Sequence, residues 1–250
     1  MTMARRVDEL RLAMMMLTRL PMGQLRDPVP TLAEARWGFP LVGLPMGLAA
    51  WAGFAGAQAV GLPPLAAALT ALALLAVLTG GLHHDGFADF ADGAGGRDRA
   101  HRLEIMRDSR VGSYGVIALI FAVGLAASAL GALPALPLAG FVLVSVVSRL
   151  AMLVLLDLLP PARADGMGQM AATTDTALPW RVWLPSLIVT AVAALSLGGA
   201  ALVVLPVMAL AAAIVAQRAR QRLGGQTGDV LGAAQLGSET AGWLALAAAL

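Results

Sequence analysis

An all-α, polytopic membrane bundle is the fold class this sequence predicts, and three observations carry it. Of the 250 residues, 59% are apolar and only 13% are charged, against roughly 25% charged in ordinary soluble domains. Apolar stretches long enough to cross about 30 Å of hydrocarbon recur along the chain. The charges fall in alternate connections between those stretches. A soluble core of this size would need far more polar surface than these residues supply.

The stretches read as spans near residues 38–60, 64–82, 112–132, 135–159, 182–199, 200–217 and 230–250, about six to seven transmembrane helices in one membrane-embedded domain, 1–250. The block 182–217 reads as two tight spans or as one long helix broken at Leu197-Gly198-Gly199-Ala200. The last stretch also reads as a re-entrant or interfacial element. Arg5, Arg6, Arg11, Arg19, Arg26 and Arg36 precede the first span, and Arg97, Arg99, Arg102, Arg107 and Arg110 lie between the second and third. Arg163 and Arg181 flank the loop after the fourth, and Arg218, Arg220 and Arg222 follow the sixth. The intervening turns, Gly61-Leu62-Pro63-Pro64, Gly131-Ala132-Leu133-Pro134 and 197–200, carry no charge. By the positive-inside rule the N-terminus and every Arg-bearing loop are expected on the cytoplasmic side.

The N-terminal segment is not read as a signal peptide, since Arg11 and Arg19 interrupt a short apolar run and no small-residue cleavage site follows. Residues 6–20 suit an interfacial helix with Val7, Leu10, Met14 and Leu17 on one side, or a lead-in to the first span. The chain has no cysteine, which excludes disulfides, thiolate nucleophiles and cysteine-bound zinc or iron–sulfur centres. All basic residues other than histidine are Arg, a cation that stays charged and grips phosphate through two donors.

Chemistry concentrates in 83–115, a segment expected to form a helical hairpin at the cytoplasmic face. It holds six of the fifteen acidic residues, five of the seventeen Arg and all three His. Asp85, Asp89 and Asp92 are spaced four and three apart. If the second span continues as a helix through the interface, they share one face. Three like charges on one stripe need a compensator, and a divalent cation such as Mg²⁺ suits hard oxygen ligands. The Arg residues that follow are the alternative. Gly93-Ala94-Gly95-Gly96 then breaks the helix, and Asp98 can cap a second one near 99–108. His101, Glu104 and Asp108 share its face. A hairpin returning that face to the first would assemble one acidic cluster, rimmed by Arg102, Arg107 and Arg110, as phosphoryl transfer requires. His83 and His84 read as metal ligands, general bases or interfacial residues.

A second polar island is Gly224-Gly225-Gln226-Thr227-Gly228-Asp229. Its backbone amides could receive phosphate, although Gly224 equally suits a helix end. Asp229 is out of place at the head of an apolar stretch, where charge is costly. Arg149 and Asp157, in or near the fourth span, suit pairing with other buried charges.

The run Leu82-His83-His84-Asp85-Gly86-Phe87-Ala88-Asp89-Phe90-Ala91-Asp92-Gly93, followed by Arg102-Leu103-Glu104-Ile105-Met106-Arg107-Asp108-Ser109-Arg110-Val111-Gly112-Ser113-Tyr114-Gly115, closely resembles the cobalamin synthase (adenosylcobinamide-GDP ribazoletransferase) family. Further matching islands are Leu17-Thr18-Arg19-Leu20-Pro21, Phe39-Pro40-Leu41-Val42-Gly43-Leu44 and Gly225-Gln226-Thr227-Gly228-Asp229-Val230-Leu231-Gly232. His84, Phe90 and Arg107 stand where Leu, a small residue and Lys are expected.

The resemblance implies an inner-membrane transferase, with its site facing the cytoplasm. It would join adenosylcobinamide-GDP to α-ribazole or α-ribazole 5′-phosphate, give adenosylcobalamin or its phosphate, and release GMP. The ribazole 5′-oxygen would attack the phosphorus on the cobinamide side. Mg²⁺ would be held by Asp85, Asp89, Asp92 and Asp108. Asp92, Glu104 or His83 would take the hydroxyl proton, and Arg102, Arg107, Arg110, Gly225 and Thr227 would hold phosphate oxygens. The expected partners are the two substrates, the lipid bilayer, and a second copy or other corrinoid enzymes; no nucleic acid is expected. A CDP-alcohol-type phosphotransferase shares this chemistry, but its Ala-Arg after the first Gly is replaced here by Ala94-Gly95-Gly96-Arg97. A transporter would place its ionisable groups near the bilayer midplane.

Overall fold

The computed structural model describes residues 2–133, 135–172 and 183–250. Among these, every extended regular element is a helix, and one isolated β-bridge joins Pro161 to Gln226. Helix α1 (Met3–Leu17) starts at Thr2, whose hydroxyl accepts the Arg5 N–H. Helix α2 (Leu32–Ala35) starts at a reciprocal capping box between Thr31 and Glu34. Short 3-10 turns lead into α3 (Gly43–Ala59), and Pro64 opens α4 (Pro64–Thr79) at the position where a missing N–H is harmless. Helices α5 (Leu82–Asp92) and α6 (Arg99–Ile105) follow. Asp98 caps α6 by accepting the His101 N–H at 2.9 Å, as its spacing predicts. The rest of the chain forms α7 (Ser113–Gly131), α8 (Leu138–Leu158), α9 (Gly166–Ala171), α10 (Leu184–Leu197), α11 (Ala201–Leu223) and α12 (Gly228–Ala249).

The helices form a polytopic membrane bundle with two unlike ends. At one end, Gly131 packs on the backbone of Pro64 and Leu65, so the uncharged α3–α4 and α7–α8 turns meet. At the other, Arg99 donates to the carbonyls of Leu223 (2.6 Å) and Ala162 (2.7 Å), and Arg163 donates to that of Leu103 (2.9 Å). The Arg19 N–H donates to Leu78 at 2.7 Å. These bonds gather α1, the α4–α5 junction, α6, the segment after α8 and the α11–α12 turn. The Arg-bearing connections therefore share one face. Arg181 and residue 182 lie outside the described residues, as does Pro134.

Length and composition mark four stretches that can cross a membrane, 40–59, 113–131, 138–158 and 184–223, or five if α4 and α5 are one bent span. The six or seven expected from sequence take 184–223 as two spans and add α12. Residues 184–223 form one helical stretch of 40 residues, in which Gly198 (φ 58°) separates α10 from α11. Helix α12 falls outside the four because Asp229, Gln235, Ser238 and Glu239 interrupt it. It is nonetheless the most enclosed helix, with Trp243 fully buried against Phe141 at 5.2 Å between ring centroids. Such an edge-on aromatic pair contributes about 0.5–1.5 kcal/mol beyond burial.

The second expected span does not run straight on into the acidic segment. Gly80 and Gly81 both take left-handed backbone (φ 62° and 72°), which residues with a Cβ rarely adopt, and α5 leaves α4 at 91°. Helix α5 therefore runs across the Arg-rich end instead of continuing α4. Helix α1 also differs from its expected orientation. Met14 and Leu17 are buried, but Val7 is exposed while Asp8 and Glu9 are enclosed. Arg11 and Arg26 pair with Asp8, and Arg6 and the Trp37 indole N–H bond Glu9.

Candidate active site

Helix α5 is pressed against the start of α12. The two come so close that a Cβ added at Gly86 would sit 3.0 Å from the Asp229 backbone, and Gly232 faces the Gly86 Cα in return. Small residues at both positions permit this approach. The crossing brings Asp229 to the acidic face of α5. Burial, then the charges of Asp85, Asp229 and Asp92, push the Asp89 carboxyl up to about 7, against the pull of Arg163. Arg163 pairs with Asp229 at 3.5 Å, and the Thr227 hydroxyl donates to the same Asp229 carboxylate at 3.2 Å. Asp85, Asp89 and Asp229, with one guanidinium beside them, form the electrostatic centre of the Arg-rich end.

The third α5 carboxylate has different partners. Asp92 is buried and accepts the N–H groups of Gly112 and Gly115, each at 2.8 Å. Both donors lie at the start of α7, so Asp92 ties α5 to α7 and satisfies two N–H groups that the helix itself leaves open. Its outer side lines a depression of about 520 Å³ with Asp108, Arg110 and Tyr114.

Sequence spacing also proposed a return of α6 toward α5; of that acidic set Asp108 reaches the depression lined by Asp92, and no group of three that could hold a metal ion forms among the described residues. Asp108 and Arg110 form an exposed pair at 2.6 Å, and the Arg110 guanidinium holds the Asp108 carboxyl below the usual carboxylate range. Arg107 pairs with Asp165 at 2.6 Å, again in the open. Glu104 is exposed beside His101, Ile105 and Arg107. Arg102 lies over Gly96 and lines an apolar groove with Phe87, Phe90, Arg218 and Arg222.

His83 points inward, away from the carboxylate stripe. It is 2% exposed, its charged neighbours are Arg149 and His84, and neither ring nitrogen has a hydrogen-bond partner among the described residues. Gly225 and Thr227 are occupied by structure. Gly225 packs directly on the Pro160 carbonyl, and the Thr227 hydroxyl caps α12 by accepting the Val230 N–H. The buried charges of α8 find partners as their positions suggest. Asp157 pairs with Arg36 at 3.0 Å, and Arg149 donates to the Ser145 carbonyl at 3.0 Å with Glu239 as its acidic neighbour.

Sequence reasoning left two groups out of the site, Asp229 and Arg163. The signal for Asp229 was its cost at the head of an apolar helix. Arg163 gave only a topology signal, and no spacing rule connects it to residues 66 positions away.

Among the described residues, no three His, Asp or Glu side chains converge closely enough to hold a metal ion alone. Mg²⁺ generally takes one or two carboxylates and completes its shell with substrate phosphates and water. The crowding of negative charge around Asp89 fits that donor set, because a bound cation relieves it.

Fold and site together define a polytopic helical membrane protein whose charged face is suited to phosphate esters. The chain matches the cobalamin-5-phosphate synthase (CobS) family over residues 9–247, and it belongs to that family. A protein of Bradyrhizobium diazoefficiens named adenosylcobinamide-GDP ribazoletransferase is 42% identical over 233 residues, covering 91% of this chain and 88% of its own. One of the same name from Mesorhizobium japonicum is 37% identical over 250 residues, covering 98% and 94%. A Brucella ovis protein of that name is 46% identical over 78 residues, 29% of each chain. No solved structure gives a significant match. Family membership displaces both the CDP-alcohol phosphotransferase and the transporter alternatives.

Proposed function

We propose that the chain is an adenosylcobinamide-GDP ribazoletransferase, joining adenosylcobinamide-GDP to α-ribazole or its 5′-phosphate and releasing GMP. The observation that carries this reading is the similarity to ribazoletransferases along nearly the whole chain, with Asp85, Asp89 and Asp229 drawn together inside it. The expectation that the 5′-oxygen attacks needs correction. An acceptor that enters and leaves with its 5′-phosphate intact reacts through another ribose hydroxyl. That oxygen bonds the phosphorus on the cobinamide side, the bond to the bridging oxygen breaks, and GMP departs with the electron pair.

Asp89, with Asp85 or Asp229 beside it, would hold Mg²⁺, which would supply charge neutralisation at the diphosphate when bound. Arg163 lies beside Asp229 and can bind a diphosphate oxygen. The ribose hydroxyl proton passes to a carboxylate of the same cluster. Asp92 holds α5 against α7 and so fixes where Asp85 and Asp89 stand. The enclosing membrane is proposed to be the cytoplasmic (inner) membrane, with the Arg-rich end inside, as charge asymmetry favours. The bundle is proposed to act as one domain over its whole length.

The test is release of GMP from adenosylcobinamide-GDP by purified protein in detergent or vesicles, with and without α-ribazole and with and without Mg²⁺. GMP release that requires acceptor and Mg²⁺ is expected. Product formation from a CDP-alcohol donor, with none from adenosylcobinamide-GDP, would reject the reading.

A further inference from the structure

A cleft of about 610 Å³ at the Arg-rich end lies between the end of α1, the α4–α5 elbow and α7. Its surface is about evenly polar and apolar; Met15, Met16 and Leu119 supply apolar wall, and its two charged residues are Arg19 and Asp85. Asp85 stands one helical turn before Asp89, so the cleft opens directly onto the carboxylate centre. The function proposed above leaves the Arg19 side of it without a role.

Three features set Arg19 apart from an ordinary interfacial arginine. Its backbone is pinned, because its N–H donates to the Leu78 carbonyl at 2.7 Å at the end of α4. The preceding Thr18 fixes the turn by donating to the Met14 carbonyl and accepting the Leu20 N–H. Its side chain lies across Gly80, where any Cβ would collide with the guanidinium Nε. The elbow glycine thus makes the bend and also clears the path of the arginine. Finally, the guanidinium has no acidic or carbonyl partner among the described residues. Arg107, Arg110 and Arg163 are committed to Asp165, Asp108 and Asp229.

An unpaired, solvent-exposed guanidinium carried on a pinned backbone at the wall of this cleft matches an oxyanion delivered by a ligand, since its fork of donors fits phosphate through two parallel bonds. We propose that Arg19 is a substrate-binding residue that holds a phosphate group entering this cleft beside Asp85. The inference rests on the ribazoletransferase reading. That reading offers two sources of the group, the donor's diphosphate and the acceptor's 5′-phosphate.

The experiment uses full-length wild-type, Arg19→Ala and Arg19→Lys proteins. GMP release is followed with α-ribazole and with α-ribazole 5′-phosphate as acceptors, each substrate being titrated in turn. Binding of α-ribazole 5′-phosphate without donor is measured calorimetrically on the same preparations. Wild-type turnover establishes the parent reading independently, so a wild-type protein that releases no GMP rejects that reading and not the role of Arg19 as an oxyanion site, which the calorimetry still tests.

Loss of a charge-assisted, two-pronged contact should raise the KM of the phosphate-bearing substrate by about ten- to a hundredfold in Arg19→Ala, with kcat changed far less. Arg19→Lys should fall between, because it keeps the charge and loses the fork. A rise confined to α-ribazole 5′-phosphate, with weakened calorimetric binding, assigns Arg19 to the acceptor. A rise in donor KM with both acceptors assigns it to the diphosphate. If both KM values and the calorimetric affinity stay within about twofold of wild type, in protein with unchanged melting temperature, the proposal is overturned. Should Arg19→Ala not accumulate, Arg19→Lys with wild-type KM and affinity overturns it equally, since a two-pronged phosphate contact does not survive that change.

Discussion

Helix α5 and the turn after α6 lie within one short segment, yet their carboxylates end in opposite conditions. Asp89 on α5 is half-enclosed, crowded by Asp85 and Asp229, and driven up to about 7. Asp108 follows α6 in solvent, is neutralised by Arg110 two residues away, and is held below the usual range. Both are aspartates of one short segment; the environment differs. Chemistry requires charge that is desolvated and incompletely paired, because only such charge gains when a cation or phosphate arrives. The comparison favours the α5–α12 crossing as the proposed site, with the α6 region as a charged surface beside it.

The largest expected effect is at Asp89. Asp89→Asn keeps the size of the side chain and removes the charge that makes the cluster attractive to a cation. GMP release should fall by about a hundredfold or more in protein that inserts and purifies normally. Activity above a tenth of wild type would place the reaction away from the α5–α12 crossing.

Asp92 should give an intermediate effect of a different kind. It accepts two N–H groups at 2.8 Å in a buried position, so Asp92→Ala leaves two donors unsatisfied. Stability should drop by about 1–3 kcal/mol, seen as an earlier thermal or denaturant transition in detergent. Activity should fall along with the folded fraction. A variant that melts like wild type yet makes no product would instead make Asp92 a participant in chemistry, and the contrast would then extend along the whole α5 stripe.

Much of this was legible in the sequence, and what was not shares a physical cause. Helical identity, the two-ended charge arrangement, the Asp98 cap and the i, i+4, i+7 placement of Asp85, Asp89 and Asp92 follow from local rules of period and capping. The elbow at Gly80-Gly81 did not, because a glycine pair is equally compatible with a helix that continues and one that turns. Asp229 announced itself only as a misplaced charge; its meeting with Asp89 depends on a helix crossing between residues more than a hundred positions apart. The Arg107–Asp165 pair and the burial of His83 were likewise set by tertiary packing. His83 lies on the side of α5 turned to Arg149, which the alternation of charges along the segment could not reveal.

The smallest expected effects sharpen the comparison from the other side. Asp108→Asn and Arg110→Ala each break a pair that is exposed and adjacent in sequence. Solvent screens such pairs, and holding two mobile side chains together costs entropy that offsets much of the attraction. Each single variant should keep GMP release within about threefold of wild type and leave the melting temperature unchanged. The double variant should behave as the sum of the singles, since no buried group depends on the pair. Asp108 does border the depression that Asp92 lines, so the alternative is concrete. If Asp108→Asn abolished turnover while Arg110→Ala did not, the carboxylate would act on substrate directly. The α6 end would then close over α5 when substrate binds, and the difference between the two helices would belong to the empty enzyme alone.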